Sequence, residues 1–553
     1  MRLKGPEGVM GRRNSISVLF SVVLALLFAV PVISVVAHLF LPAGGNWQHL
    51  VSTVLGGYIS NSLILMVSVG LGTLLVGTSS AWLVSAYEFK GRRQFEWLLV
   101  LPLAVPSYVI AYAYTDFLQY SGPLQSVLRD LMGWTARDYH FPNVRSVGGA
   151  AFMFVLVLYP YVYLLARASF MAQSRGLLDA ARTLGAGPWR TFFSVAVPSA
   201  RPALAAGVAV ALMETLADYG AVSYFGVQTF TTGIYRAWFS LGDKVSAANL
   251  SSMLLAFVLI LIVMEQISRR GAKFHELRQS SRPPSAIRLK GASERWAQLV
   301  LVVPVVLGFF LPAAILVNMI FDLESLVLNA RYGQWVANTL ILGMLTASLA
   351  VVFAVVISYA KRVDGGRLVR LAARLASLGY AIPGSIIAVG TLIPFAFVDS
   401  ALDHWVRETF GFSTGLILTG TIAAMVFAYL VRFLSVSIQT VEAGMGKITP
   451  SMDWAAATLG EGRFRTMRRV HLPLLRPTLL TAFLLVMVDV MKELPATLIM
   501  RPFNFDTLAV SAHNFAADER LAEAAVPALT IVLVGLVPLY FLTQLISKSR
   551  TTP

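Results

Sequence analysis

Four carboxylates stand in stretches otherwise apolar enough to cross a membrane. Glu214 and Asp218 are four residues apart in one such stretch, and Asp489 and Glu493 occupy the equivalent positions of another, later in the chain. Residues i and i+4 share one face of a helix, so each pair is expected to direct its oxygens to one side. A carboxylate at the centre of a spanning helix costs about 2.5–3.5 kcal/mol, and four facing lipid would cost on the order of 10 kcal/mol. They must face water, a cargo or another protein group. Carboxylate oxygens suit a hard cation, and their clustering would make their charge responsive to one passing by. Glu214, Asp218, Asp489 and Glu493 are therefore the candidate contacts for a metal-ion cargo in transit. The competing reading is polar contact between helices, in which Lys492 neutralises Asp489 or Glu493 as an ion pair. A purely hydrophobic cargo is disfavoured on either reading.

Composition specifies the elements that must hold these groups. The 553 residues are 57% hydrophobic and 13% charged, with a mean hydropathy of +0.71; soluble domains carry about 25% charged residues. About twelve segments reach the roughly 20 apolar residues a spanning helix needs: 15–40, 57–87, 97–119, 147–170, 202–222, 247–268, 297–320, 335–360, 371–397, 415–440, 477–500 and 524–546. The expected fold class is an all-α polytopic membrane protein. The sequence has no cysteine, which excludes disulfides, thiolate metal sites and cysteine nucleophiles. Its histidines are scattered, with no ligand cluster. The net charge of +16 sits in loops, at Arg12-Arg13, 90–93, 269–295, 361–374 and 463–476. The positive-inside rule places these loops and both termini in the cytoplasm, and the lipid bilayer, not nucleic acid, explains the basic runs. The first apolar run follows Arg2, Lys4, Arg12 and Arg13 as a secretory signal does, but it continues to Leu41 and reads as an uncleaved span.

The chain is built twice. Asp179-Ala-Ala-Arg-Thr-Leu-Gly185, with Pro198 and Arg201-Pro202 behind it, matches Trp454-Ala-Ala-Ala-Thr-Leu-Gly460, with Pro473 and Arg476-Pro477 behind it. Asn61 corresponds to Asn338, Pro106 to Pro383, Phe230 to Phe505, Thr232 to Thr507 and Asp243 to Asp518. The expected division is a half at 1–268, a basic linker at 269–296 with Ser280, Ser281, Pro283 and Pro284, and a half at 297–553. Six spans per half make the repeats parallel, about an axis along the membrane normal. The glycines suit turns that end short helices. Pro198 and Pro473 are expected to stop the loop, and Arg-Pro to open the next span, where proline near the first turn loses no hydrogen bond.

This duplicated pattern resembles the EAA loop of ABC importer permeases. The resemblance implies type I importer architecture, with two parallel six-helix repeats and EAA loops at 176–202 and 451–477. It implies that Asp179, Ala180, Ala181 and Gly185, and Trp454, Ala455, Ala456 and Gly460, dock on ATPase subunits, one copy per loop. Trp454 departs from the pattern by replacing the acid; Asp453 and Glu461 are near but out of register. This chain is then no enzyme and binds no cofactor: ATP is used by the partner. Gly444-Met-Gly446-Lys447-Ile-Thr449 fails as a phosphate loop, with Val441 at the first glycine and Ile448 at the required Ser or Thr. A secondary transporter of the major facilitator type shares the parallel halves but needs no such loop.

Segments 217–238 and 492–508 look like those of fused, twelve-span permeases of ferric-iron ABC importers, and the similarity covers nearly the whole chain. The resemblance implies a bacterial inner-membrane subunit that receives Fe3+ from a periplasmic ferric-binding protein. The external loops at 223–246 and 500–523 would meet that protein through Tyr235, Arg236, Trp238, Asp243, Arg501 and Asp506, although aromatics also sit at membrane boundaries. Thiamine and polyamines, as cations, remain open. Sulfate and molybdate fit poorly with four carboxylates and no compensating arginine cluster.

Overall fold

A computed structural model of the chain describes residues 15–42, 44–135, 137–173, 181, 183–269, 287–321 and 330–548. Eleven of its helices are long and apolar enough to cross a membrane. The count becomes twelve if the pair Arg92–Ala104 and Ser107–Met132, bent by 91°, is one broken span. The break falls at Pro106, which is extended (ψ 143°). Its counterpart Pro383 (ψ 140°) likewise separates the helix Arg367–Ala376 from Gly384–Phe410. Proline lacks an N–H and pushes the residue before it out of the helical region. The ninth span is therefore Gly384–Phe410, later than the expected 371–397.

A second difference concerns the helices that carry the carboxylates. They are not opened by Arg201-Pro202 and Arg476-Pro477 but run from Pro188 to Ala217 and from Arg463 to Met491. Pro198 and Pro473 lie inside these long helices, each two residues beyond a π-helical turn, Phe192–Ala196 and Met467–His471. The widened turn and the missing proline N–H remove the conflict that would otherwise stop the helix.

By packing, the chain divides into two compact units, a larger one of Leu41–Gly333 with Leu508–Pro553 and a smaller one of Met1–Phe40 with Gln334–Thr507. These units cut across the sequence halves expected on either side of 269–296. In the smaller unit the first helix, Ser15–His38, packs on Arg367–Ala376 and Gly384–Phe410, with Phe28 against Phe353 and Phe427. In the larger unit Leu55–Ala86 lies along Val147–Ala172, both pack on Val197–Ala217, and Leu311–Phe321 packs on Leu521–Lys548. There a two-residue parallel ladder joins Tyr87–Glu88 to Ile287–Arg288. Each unit fixes the loop beyond its carboxylate helix through the paired asparagines: Asn61 donates to the Gln228 carbonyl and Asn338 to the Asp506 carbonyl, both at 2.9 Å.

Candidate functional site

The two carboxylate pairs sit at the ends of their helices, not along one face. Val197–Ala217 stops one residue before Asp218, which is extended (φ −69°, ψ 137°), and Leu472–Met491 stops two before Glu493. Asp218 turns back over the short helix Gly220–Tyr224. It accepts the N–H groups of Ala221 (2.9 Å) and Val222 (3.3 Å) and the Ser107 hydroxyl. Glu493 does the equivalent in the smaller unit, accepting the N–H of Ala496 at 3.0 Å.

The copies differ in what completes the shell. Gly384 stands where the first copy has Ser107, and a Cβ there would lie 2.5 Å from Glu493 Oε1 and 2.6 Å from Arg432 Nη1. That space is taken by Arg432, which pairs with Glu493 at 3.0 Å, both side chains being buried. Asp489 pairs with Lys492 at 2.9 Å. One arginine, which the sequence reading does not anticipate, thus compensates Glu493 in the smaller unit. Arg432 is a lone charge inside the tenth apolar stretch, a signal that a reading by apolar length alone passes over. Asp218 is held instead by neutral donors, with Glu214 half-buried one turn before it. Among the described residues no three His, Asp or Glu side chains are grouped to hold a metal ion.

The turns at 181–186 and 456–461 are near copies. Gly185 and Gly460 adopt φ of +80° and +78°, and the residue after each closes the same bond, Ala186 N–H to Ala181 O and Glu461 N–H to Ala456 O, both 3.0 Å. This six-to-one bond ends a helix through a left-handed residue, which glycine occupies without strain. Beside each turn large apolar side chains face outward: Leu184 is 87% and Trp189 75% exposed, Leu459 83% and Phe464 70%. Trp454 and Ala455 are exposed while Ala456 is buried. Asp179 and Ala180 lie outside the described residues.

Asp453, a nearby candidate for the role of the missing acid, is half-buried and engaged within its own unit. It accepts from Arg362 Nη2 at 2.7 Å and meets His471 Nε2 at 2.6 Å, while Arg362 also donates to the Met445 and Ile448 carbonyls at 2.9 Å. This strut ties the short helix Pro450–Thr458 to the end of Ala330–Asp364 and to the π turn. The counterparts of Arg362 and His471 are Ser85 and Ala196, so the first copy lacks those two groups. Glu461 pairs with Arg469 at 2.5 Å.

Of the six side chains expected to meet a binding protein, Tyr235 is buried, stacked on Tyr219 at 3.6 Å. Arg236 is exposed and Trp238 half-exposed. Asp243 caps the helix Lys244–Arg269 through the N–H groups of Val245 (3.1 Å) and Ser246 (3.0 Å), and Arg501 pairs with Asp506.

Comparison with known proteins gives two matches along the chain to one family, described as "Binding-protein-dependent transport system inner membrane component", over residues 73–273 and 350–552. The chain is similar to the Fe(3+)-transport system permease protein FbpB 2 of Haemophilus influenzae, 26% identical over 491 residues that cover 88% of this chain and 89% of that protein. It is 23% identical to the ferric transport system permease protein FbpB of Actinobacillus pleuropneumoniae, covering 98% and 79%. A shorter similarity, 28% over 206 residues, links 36% of the chain to 87% of the molybdenum transport system permease protein ModB of Escherichia coli.

Proposed function

We propose that the chain, which belongs to the family of binding-protein-dependent transport system inner membrane components, is the permease subunit of an ATP-driven importer of Fe3+. One observation carries the reading: the relatives named for Fe3+ or ferric transport match along nearly the full length of both repeats, whereas the molybdenum relative covers about one half's worth. In this reading two copies of an ATPase subunit hydrolyse ATP, each seated on one docking turn by the outward apolar side chains at 184 and 189 or at 459 and 464. A periplasmic ferric-binding protein delivers the ion to the opposite face, where Arg236, Trp238, Arg501 and Asp506 are available. The N- and C-termini are cytoplasmic. Closure of the ATPase pair moves the docking turns, and the continuous helices Pro188–Ala217 and Arg463–Met491 carry that motion to the carboxylates.

A second reading, an organic cation such as thiamine, is favoured by the tyrosine rings beside Asp218, because aromatic faces attract cations. The test is uptake of radioactive iron into proteoliposomes holding this chain and its ATPase, with loaded binding protein outside. ATP-dependent iron accumulation is expected. Thiamine or polyamine uptake with no iron uptake would overturn the iron reading.

A further inference from the structure

The short helix Arg367–Ala376 of the smaller unit has three distinct faces, and two of them are open. Successive residues advance by about 100° around an α-helix, which sorts the side chains into sectors. Val369, Ala372, Ala373 and Ala376 share one sector and are buried, where the helix packs on Ser15–His38 and Ile422–Met445. Leu368, Leu371 and Leu375 share a second sector and are exposed. Arg367, Arg370 and Arg374 share the third and are exposed as well. None of the three pairs with a carboxylate among the described residues.

What surrounds the leucines is set by the helix beside them. The first helix is long and apolar enough to cross a membrane over Val18–His38, and its outward side chains include Leu19, Val23 and Leu26. An outward apolar face on a spanning helix lies against acyl chains. The exposed leucines of its neighbour share that boundary, and arginine stems can lie along apolar surface while the guanidinium groups reach the headgroup layer. The basic face rises about 10 Å from Arg367 to Arg374. Neither open face is kept in the other copy. There Lys90, Arg93 and Trp97 replace the arginines, and Gly91 and Gln94 replace Leu368 and Leu371. An acid, Glu96, stands at the position of Ala373 and pairs with Arg167 at 2.9 Å.

We propose that Arg367–Ala376 is a binding site for anionic phospholipid, in which the three guanidinium groups take the phosphate and the three leucines take the acyl chains. Paired N–H donors suit guanidinium to phosphate oxygens, and basic residues beside a membrane are drawn to anionic headgroups. The outward leucines favour a lipid over a soluble anion, which would gain nothing from them. The helix leads through Gly379–Ala381 to the break at Pro383 and Gly384. A bound lipid therefore bears on the segment that packs against the Arg432–Glu493 pair. The site does not depend on which cargo is carried.

The sequence has no cysteine, so Leu371→Cys supplies a single position for a fluorescent label on this helix. The labelled full chain is placed in nanodiscs of equal parts phosphatidylglycerol and phosphatidylcholine, with bromine on the acyl chains of one lipid or the other, and quenching is read. Brominated phosphatidylglycerol is expected to quench more strongly, with a local preference of about fivefold for each arginine engaged. Arg367→Gln/Arg370→Gln/Arg374→Gln should bring the two lipids level, whereas Arg367→Lys/Arg370→Lys/Arg374→Lys should keep most of the preference. Inorganic phosphate should leave it intact. Equal quenching by both lipids in the wild type, or a preference that survives the glutamine changes, overturns the site. Quenching by neither lipid places the helix against water or protein and overturns it as well. Loss of the preference on adding inorganic phosphate would assign the arginines to a soluble anion instead of lipid.

Discussion

Adding one methyl group at Gly384 should break a buried ion pair whose two members lie far from it in sequence. The Cβ of Gly384→Ala would sit 2.5 Å from Glu493 Oε1, 2.6 Å from Arg432 Nη1 and 3.2 Å from the Ala496 nitrogen. These three atoms form one network, so none can withdraw alone without lengthening the 3.0 Å pair or the cap bond to Ala496. Overpacking by itself costs about 1–3 kcal/mol, and separating a buried pair costs about 3–5 kcal/mol. The variant should therefore lose about 3 kcal/mol or more, a factor of more than a hundred in the folding equilibrium. Equilibrium unfolding in mixed micelles measures this. The same substitution in an Arg432→Met/Glu493→Gln background, where no charge remains to be stranded, should fall back to the overpacking cost, and the difference is the coupling energy. A Gly384→Ala protein as stable as the wild type, or an equal loss in both backgrounds, would refute the reasoning.

In the other copy, Ser107→Ala removes one donor from Asp218 and should cost about 1–3 kcal/mol, read by the same unfolding assay. Gly185→Arg together with Gly460→Arg should abolish uptake and ATPase stimulation, because each left-handed position adds about 1–2 kcal/mol of backbone strain for a side-chain-bearing residue and a cation enters the docking turn. Asp453→Ala removes the anion shared by Arg362 and His471; since the Arg362–Asp453 pair is partly exposed, a loss of up to about 1 kcal/mol is expected, with ATPase stimulation reduced more than stability. Asn338→Ala frees the Asp506 carbonyl, and limited proteolysis should cut the 500–508 loop faster than in the wild type.

The duplication was legible because it rests on residues that backbone geometry demands: glycines at left-handed turns, prolines at helix breaks and asparagines that pin loops. Span count was legible for the same reason that apolar length is: it requires no knowledge of neighbours. What escaped was pairing between distant segments. Arg432 and Glu493 belong to different spans and meet only because the second copy has glycine at 384, so neither residue predicts the other. The i, i+4 rule also misled at the carboxylates, because both helices end between the two members of each pair. Tyr235 lies in a loop segment that reads as surface, but its ring is buried against Tyr219.

The π turns at 192–196 and 467–471 set an angular relation along each long helix. A π turn holds about one residue more than an α turn, and in an α-helix each residue advances the side chains by about 100°. The extra residue is absorbed in the widened turn, so the helix beyond Ala196 keeps nearly the phase it would have without it, whereas one residue added to a plain α-helix would rotate everything beyond it by about 100°. Each long helix thus carries an extra residue at nearly unchanged phase, and the same π turn is kept in both copies. The interval from Gly185 to Asp218 equals that from Gly460 to Glu493. That equality is therefore a constraint on phase as much as on reach.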